Sequence, residues 1–448
     1  MASNARQLGK LWGRGPRRKA RQGIMGKRKL QVITNSEHET WRTCQRRHGF
    51  AYFELLRPKV DSLPKRAGNV LHDGLSAGWR AAWELADCSL DSRLDRAISG
   101  AVAGVGAATT VAVAELEEIG DTDPNARVDE AIEALLEASK ANAWAVENYF
   151  RSIKPDLAYV PVVIEGEFAV RVPNAAGRAS RILRRGKIDL TLWDPELNRL
   201  IVHDHKGTAN AVTAMERKLP LDTQLTGYVV AIRRMVATGQ LVTDDKLTTV
   251  AAQKVVQKNW EQIKHANTGA IAYNVIRRKR PEHPKINLLK KGQILTDNHR
   301  RLFEEQSEFG SGRGEVSVAE CDTTAEEYRT ALEEQVVDRE LPITDKQRLV
   351  LERLERKGET FFAQLEYFRD DLEIEEWRRE LFADARRIRE VARDPSQRTR
   401  NPTACAMPWS PPCAYASLCL NPSDPVARAG YMVADRPHVE LEGKKNGE

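Results

Sequence analysis

Apolar residues recur every three to four positions over Glu37–Leu56, Val70–Leu85 and Asp129–Arg151, the spacing that gives a helix one buried face. Leu63-Pro64 is expected to break the chain between the first two. Between the second and third lies Ala97–Ala114, an 18-residue run without charge, made mostly of Ala, Gly, Ser and Thr. At Tyr159 the period changes. Tyr159–Ile164, Glu167–Val172, Gly186–Trp193 and Arg199–His205 are short and rich in β-branched residues, and Pro173-Asn174, Asp194-Pro195 and Asn198 punctuate them. They predict strands joined by turns. Leu221–Val236 returns to helix, residues 268–277 predict a further strand, and His299–Arg398 reads as mostly charged helix. Asn401–Leu420, rich in Pro and Cys, has neither period.

Composition narrows the classes. A chain of 448 residues with 41% hydrophobic and 30% charged residues can bury a sizeable core and is not disordered throughout. Lys and Arg total 70 against 64 Asp and Glu, so the net charge of +6 excludes a wholly basic coat. The basic excess is local: residues 1–30 hold ten Lys or Arg and no acid, which predicts a tail able to touch phosphates. That stretch has no apolar segment of leader type, and Ala97–Ala114 has only five large aliphatics, too few for a membrane span. Six cysteines are too sparse for a disulfide scaffold. A cytoplasmic protein that does not engage membranes is expected.

Candidate chemistry concentrates in residues 186–208, GKIDLTLWDPELNRLIVHDHKGT. Two strands around the turn Asp194–Asn198 would bring Asp189 near Asp204, and Asp204 and Lys206, two apart, share a strand face. Carboxylates crowded on one face destabilise the fold unless a cation joins them. A divalent ion of the Mg²⁺ type answers that need, and it polarises phosphoryl oxygens. Lys206 would then orient or activate the attacking water.

Asp189, followed by Asp204-His205-Lys206 and then by Gln224-Leu225-Thr226-Gly227-Tyr228, resembles the PD-(D/E)XK nucleases. The closer likeness is to their RecB/AddB-type branch, including CRISPR-associated and phage-encoded exonucleases. The resemblance spans roughly residues 33–420 and implies an α/β fold with a restriction-endonuclease-like core, a mixed sheet of four to five strands flanked by helices. By the branch's pattern, His72 in Gly68-Asn69-Val70-Leu71-His72 corresponds to a metal-ligating histidine. Glu165 in Glu165-Gly166-Glu167-Phe168 corresponds to a site glutamate, with Glu167 as competitor. The resemblance implies Mg²⁺ or Mn²⁺ held by His72, Asp189, Asp204 and the His205 backbone carbonyl. It places Lys206, Gln224, Tyr228 and Glu165 in the catalytic group.

Cys405, Cys413 and Cys419 lie close together and Cys44 far upstream. The same branch implies a [4Fe–4S] cluster on these four, tying the chain ends together. Four thiolates also suit a structural zinc, the less favoured occupant. The seven residues separating Cys405 from Cys413 exceed the branch's usual gap and leave Cys405 the loosest match. Cys88 and Cys321 are read as packing residues. Arg277, Arg278, Lys279 and Arg280 end a strand in a basic cluster suited to DNA phosphates. The expected layout is a tail at 1–30, N-terminal helices at 31–72, a helical insertion at 73–155, the nuclease core at 156–298, a helical region at 299–400, the cysteine segment at 401–420 and a C-terminal tail at 421–448.

The implied activity is metal-dependent DNA hydrolysis, foremost exonucleolytic, on single strands or DNA ends in recombination, repair or phage DNA metabolism. A helicase, recombinase or annealing protein is the analogous partner. Alternatives are a structure-selective endonuclease, a DNA-binding recombination partner that cuts little, and a zinc-stabilised interaction protein. No P-loop string occurs, and Gly104-Val105-Gly106 lacks both a preceding strand and a third glycine, so nucleotide-binding motors and dinucleotide folds are excluded.

Overall fold

A computed structural model of the chain describes residues 30–122, 128–174, 176–208, 215–284, 322–338, 343, 345–358, 361–405, 413–422, 424–438 and 441. The basic tail before residue 30, Cys321 and the first part of the 299–400 region lie outside the described residues.

The chain runs β1 (Gln31–Ile33), α1 (Asn35–Thr43), β2 (Leu56–Pro58), α2 (Leu63–Ala82), α3 (Leu90–Thr122) and α4 (Val128–Ser152) into the central strands. These are β3 (Val160–Pro173), β4 (Ala179–Asp194) and β5 (Arg199–Thr208). After them come α5 (Thr223–Thr238), α6 (Val250–Lys258), β6 (Asn267–Arg277), α7 (Ala325–Leu332), α8 (Asp345–Lys357), β7 (Phe362–Phe368), α9 (Asp371–Arg393) and β8 (Tyr431–Val433). The result is a mixed α/β fold with helices on a central sheet, and that sheet has six strands rather than four to five.

β4 organises the sheet. One of its edges pairs antiparallel with β3 along most of its length. Its other edge is shared: β1 lies parallel to it at Ile182–Arg184, and β5 lies antiparallel to it at Leu190–Asp194. Arg185 to Asp189 therefore have no ladder partner on that side. β5 continues past this gap alongside β6, which is parallel to it, and β7 closes the edge antiparallel to β6. The gap between β4 and the end of β5 is the cleft that receives the site.

The differences from the sequence pattern have local causes. The two strands expected over 159–172 are one, because the ladder passes Gly166 without turning: Ile164 pairs with Leu190 and Gly166 with Ile188. Glu165 takes a left-handed backbone, at φ +52°, and the ladder shifts register between Pro161 and Val163. The helix expected over 37–56 stops at Thr43, where Cys44 is extended (φ −163°, ψ 115°), and it resumes as a short turn and a π-helical segment, Gly49–Phe53. Leu63-Pro64 opens α2 instead of breaking the chain, since a proline at the helix start loses no hydrogen bond. β7 falls inside the region expected to be helical; its alternating FAQLEYF pattern sits between strongly helical neighbours.

α3 carries the small-residue run and is the one described helix long and apolar enough to cross a membrane. It packs against α2 so closely that a Cβ on Gly74 would lie 2.5 Å from Val105, and one on Gly104 would lie 2.6 Å from Ala77. The main apolar cluster joins this helical group to the sheet and α5 through Leu71, Leu75, Trp79, Phe150, Ile188, Val202 and Val229. A second cluster seats α9 on the other side of β1 and β4 through Ile33, Trp41, Ile182, Trp377 and Leu381. Burying side chains of this size stabilises the fold by roughly 2–3 kcal/mol each.

Candidate active site

Three elements converge at the cleft. Asp189 is the last β4 residue before the β5 ladder begins, and Glu165 stands at the same step of β3. His72 comes from α2, whose Leu71 and Leu75 are buried against the sheet. His72 Nδ1, one Glu165 oxygen and one Asp189 oxygen all lie within 4.8 Å of one another. His72 Nδ1 is 3.4 Å from Asp189 Oδ2 and 4.0 Å from Glu165 Oε1. Glu165 reaches this position from a left-handed backbone, a conformation costing about 1–3 kcal/mol that persists where the surroundings impose it. They do so here: Ile164 N donates to Leu247 O at 2.7 Å, and the Arg80 guanidinium donates to Ile164 O at 2.8 Å. Glu167 is turned away and paired with Arg185 at 3.5 Å; its side chain is 49% exposed against 14% for Glu165. The structure therefore brings Glu165, and not its competitor, to the cleft.

The electrostatics are those of a site built for a cation. Burial, then the neighbouring Asp204 and Glu165 carboxylates, push the Asp189 carboxyl up to about 7, against the pull of His72 and the His205 N–H. That N–H donates to Asp189 Oδ2 at 3.0 Å. Lys187, which sequence reasoning passed over, pairs with Glu165; burial opposes its charge, but Glu165 outweighs this and holds its pKa above the usual lysine value. Burial, then its electrostatic interactions with His72, His203 and Lys206, push the His205 imidazole well down, so it stays neutral. Its ring is wedged between Tyr149 and Asn274. Two carboxylate oxygens and an imidazole nitrogen beside a cleft form a donor set that suits Mg²⁺ or Mn²⁺.

Asp204 is not in that set. It is buried and ion-paired with Lys206. Burial works against the Lys206 ammonium, but Asp204 and then Asp222 outweigh it and hold its pKa above the usual lysine value. Lys206 Nζ also donates to Gln224 Oε1 at 3.2 Å, and Gln224 Nε2 donates to the Tyr228 hydroxyl at 2.6 Å. Gln224 and Tyr228 thus form one polar line from the α5 face to Lys206. The start of α5 is fixed by residues that sequence reasoning missed. Asp222 caps the helix through Gln224 N at 2.6 Å and Leu225 N at 3.2 Å, and it accepts from the Tyr273 hydroxyl. The buried Arg369 guanidinium donates to Pro220 O at 2.6 Å, and to Leu219 O and Asp222 O at 3.1 Å each. An Asp just ahead of an apolar helix was a readable cap signal. Arg369 has no local signal, because its partners lie about 150 residues away in sequence.

Residues 33–420 match the family model of the PD-(D/E)XK nuclease superfamily. The chain belongs to that superfamily. A search of curated proteins finds no match to this chain. Membership shows the fold and a metal-dependent nuclease class, and the matched range takes in the cysteine segment.

In this superfamily member segments far apart in sequence meet at Cys44. Asn401 Nδ2 donates to Thr43 O at 2.9 Å and Arg46 N to Thr399 O at 3.1 Å, which sets residues 399–405 against the break at Cys44. Cys413 N lies 3.4 Å from Cys405 O. Slight burial, then the neighbouring Cys413, Cys44 and Cys419 thiols, push the Cys405 thiol up, while Arg400 pulls it down. Residues beyond 420 belong to this region too. β8 pairs with β2, Tyr431 stacks on Tyr415 at 5.5 Å, and its hydroxyl donates to Ala414 O at 2.5 Å. Cys88, partly exposed, makes only a local contact to Leu85 O.

The basic cluster divides. Arg277 is buried and forks onto Asp322, one of the two bonds at 2.8 Å. Lys279 pairs with Glu282 at 2.6 Å and with Asp322 at 3.4 Å. Those two are paired with carboxylates, whereas Arg278 and Arg280 donate to the backbone carbonyls of Pro64 and Lys140, at 3.1 and 3.5 Å.

Proposed function

We propose that the protein is a Mg²⁺- or Mn²⁺-dependent deoxyribonuclease that acts as an exonuclease on single strands or DNA ends. The observation that carries this reading is the His72–Glu165–Asp189 triad within 4.8 Å, adjoining Lys206, in a chain of the nuclease superfamily. His72, Glu165 and Asp189 would hold the ion, with Asp204 and the His205 backbone carbonyl at its margin. The ion supplies Lewis-acid polarisation of the phosphoryl group and offsets its developing charge. Asp204 keeps the Lys206 ammonium charged and aimed. Lys206, steadied by Gln224, positions a water for in-line attack and accompanies the charge that grows on phosphorus oxygens. Tyr228 fixes the Gln224 amide.

We further infer a [4Fe–4S] cluster on Cys44, Cys405, Cys413 and Cys419, with a bracing role. The four thiols are neighbours, as a four-thiolate site requires, and the branch resemblance favours the cluster over zinc. A role in recombination, repair or phage DNA metabolism, beside a helicase, recombinase or annealing protein, follows from the branch resemblance.

End-labelled linear and circular single strands test the substrate. Mg²⁺-dependent digestion of linear DNA from its ends, with circles resistant, is the expected outcome. Equal cutting of circles would replace the exonuclease with an endonuclease. Anaerobically purified protein should be brown with absorbance near about 400 nm; a colourless protein containing zinc would reverse the cofactor assignment.

A further inference from the structure

Arg278 lies beside the end of β5 and, among the described residues, has no acidic partner. It follows β6 directly, and its backbone N–H donates to Thr208 O at 2.9 Å, which holds it at the end of β5. Its side chain folds back over Gly207 on the α2 side of β5, the face opposite that of the Lys206 side chain. A Cβ on Gly207 would lie 2.9 Å from Leu71 Cδ2, 3.0 Å from Arg278 Cδ and 3.1 Å from Nε, so the glycine leaves room for the arginine beside α2. The guanidinium is half-buried. Burial pulls its pKa down and no carboxylate raises it.

One of its nitrogens donates to Pro64 O at 3.1 Å, in the first turn of α2. Nε is buried and has no hydrogen-bond partner. Among the described residues no acid pairs with Arg278, whereas its neighbours Arg277 and Lys279 are both neutralised by Asp322. A desolvated cation held against the backbone without a counter-charge destabilises a fold, and it is tolerated where a ligand brings the missing anion. A planar guanidinium offers two parallel donors, which matches the non-bridging oxygens of a phosphodiester.

We propose that Arg278 binds a backbone phosphate of the DNA strand adjacent to the scissile one and so sets the register of the strand over Lys206. This rests on the nuclease reading and names the residue that places its substrate. Arg278 touches substrate but takes no part in the chemical step. Loss of the side chain therefore acts on binding and register, not on the metal triad.

The test compares full-length wild type with Arg278→Ala, Arg278→Lys and, as a control already neutralised by acids, Lys279→Ala. Binding of a labelled single strand is measured in EDTA across a salt series. Cleavage with Mg²⁺ is measured on oligonucleotides carrying one neutral methylphosphonate at successive positions. Arg278→Ala should bind about tenfold more weakly, with a salt slope shallower by about one. One methylphosphonate next to the cut should slow wild type and leave Arg278→Ala unaffected. Arg278→Lys should recover the salt slope but only part of the affinity, and Lys279→Ala should match wild type. An unchanged salt slope and methylphosphonate profile in Arg278→Ala, with its melting temperature and Mn²⁺ affinity at wild-type values, would overturn the assignment. Wild type that cuts no DNA would sink the nuclease reading instead, and the salt slope in EDTA would still decide whether Arg278 holds a phosphate.

Discussion

Asp189 is a buried carboxyl facing Glu165 across the β3–β4 ladder and lying beside Asp204. Its proton stays on up to about pH 7 in the fold, while an unfolded aspartate releases it near about 3.9. The native state binds the extra proton between those values, so the stability from this group is present at low pH and lost as pH rises through about 7. In EDTA, the wild-type melting temperature should fall relative to Asp189→Asn across about pH 4 to 7, and Mn²⁺ should restore it. Parallel pH curves for the two proteins would mean that Asp189 carries no such proton. Glu165 is tested by substitution: Glu165→Gln should weaken Mn²⁺ binding at least about tenfold by removing a charged ligand, and Glu167→Gln should not change it. Equal losses would return Glu167 to contention. Asp189, Asp204, Lys206, Gln224 and Tyr228 were legible because their spacing is a local pattern. The choice between Glu165 and Glu167 was not, because it depends on one left-handed residue that no local pattern announces.

At the scale of elements, two contacts decide how the site is presented. Arg369 ties the end of β7 to the residues that start α5, and so fixes Gln224 relative to Lys206. It is buried, and Arg369→Ala leaves three carbonyls without their donor. The expected cost is about 3 kcal/mol of stability with a lowered kcat, read by denaturant titration and single-turnover cleavage; a neutral result would remove Arg369 from the account. The second contact is the strap of residues 424–438 over the cysteine segment. Removing residues 421–448 should speed loss of the proposed cysteine-bound cluster, followed by the decay of its absorbance under chelator, because Tyr431 no longer covers Tyr415 and Ala414. Equal decay rates would make the strap incidental. The sequence pattern showed the long helices and the central hairpin well, since each repeats its period over many residues. β1, β2 and β8 have three residues each, too short to display a period, and β7 was hidden by charged helices on both sides.

On the scale of the whole molecule, the shared edge of β4 matters most. β1 and β5 take its two ends and leave Arg185 to Asp189 unpaired on that side, and into this gap α2 brings His72 and α5 brings Gln224. Residues 399–405 lie against the break at Cys44, and α1 is ion-paired to α9 through His38, Arg42, Glu380 and Asp384, so segments far apart in sequence jointly close the fold that frames the gap. The superfamily was legible from the order His72, Glu165, Asp189, Asp204-His205-Lys206, Gln224 and Tyr228. The gap itself was not, because it arises from pairing between strands about 150 residues apart. The central claim is that this gap holds a divalent ion beside Lys206 and hydrolyses DNA there. It is tested most directly by titrating Mg²⁺, Mn²⁺ and EDTA against end-labelled DNA with wild type and Lys206→Ala, while Mn²⁺ binding is followed on both proteins. The account predicts metal-dependent digestion by wild type. Lys206→Ala should lose at least about a thousandfold in rate while staying folded and retaining Mn²⁺ binding, with a lower melting temperature because buried Asp204 loses its partner. Digestion that persists in Lys206→Ala, or proceeds in EDTA, would contradict it.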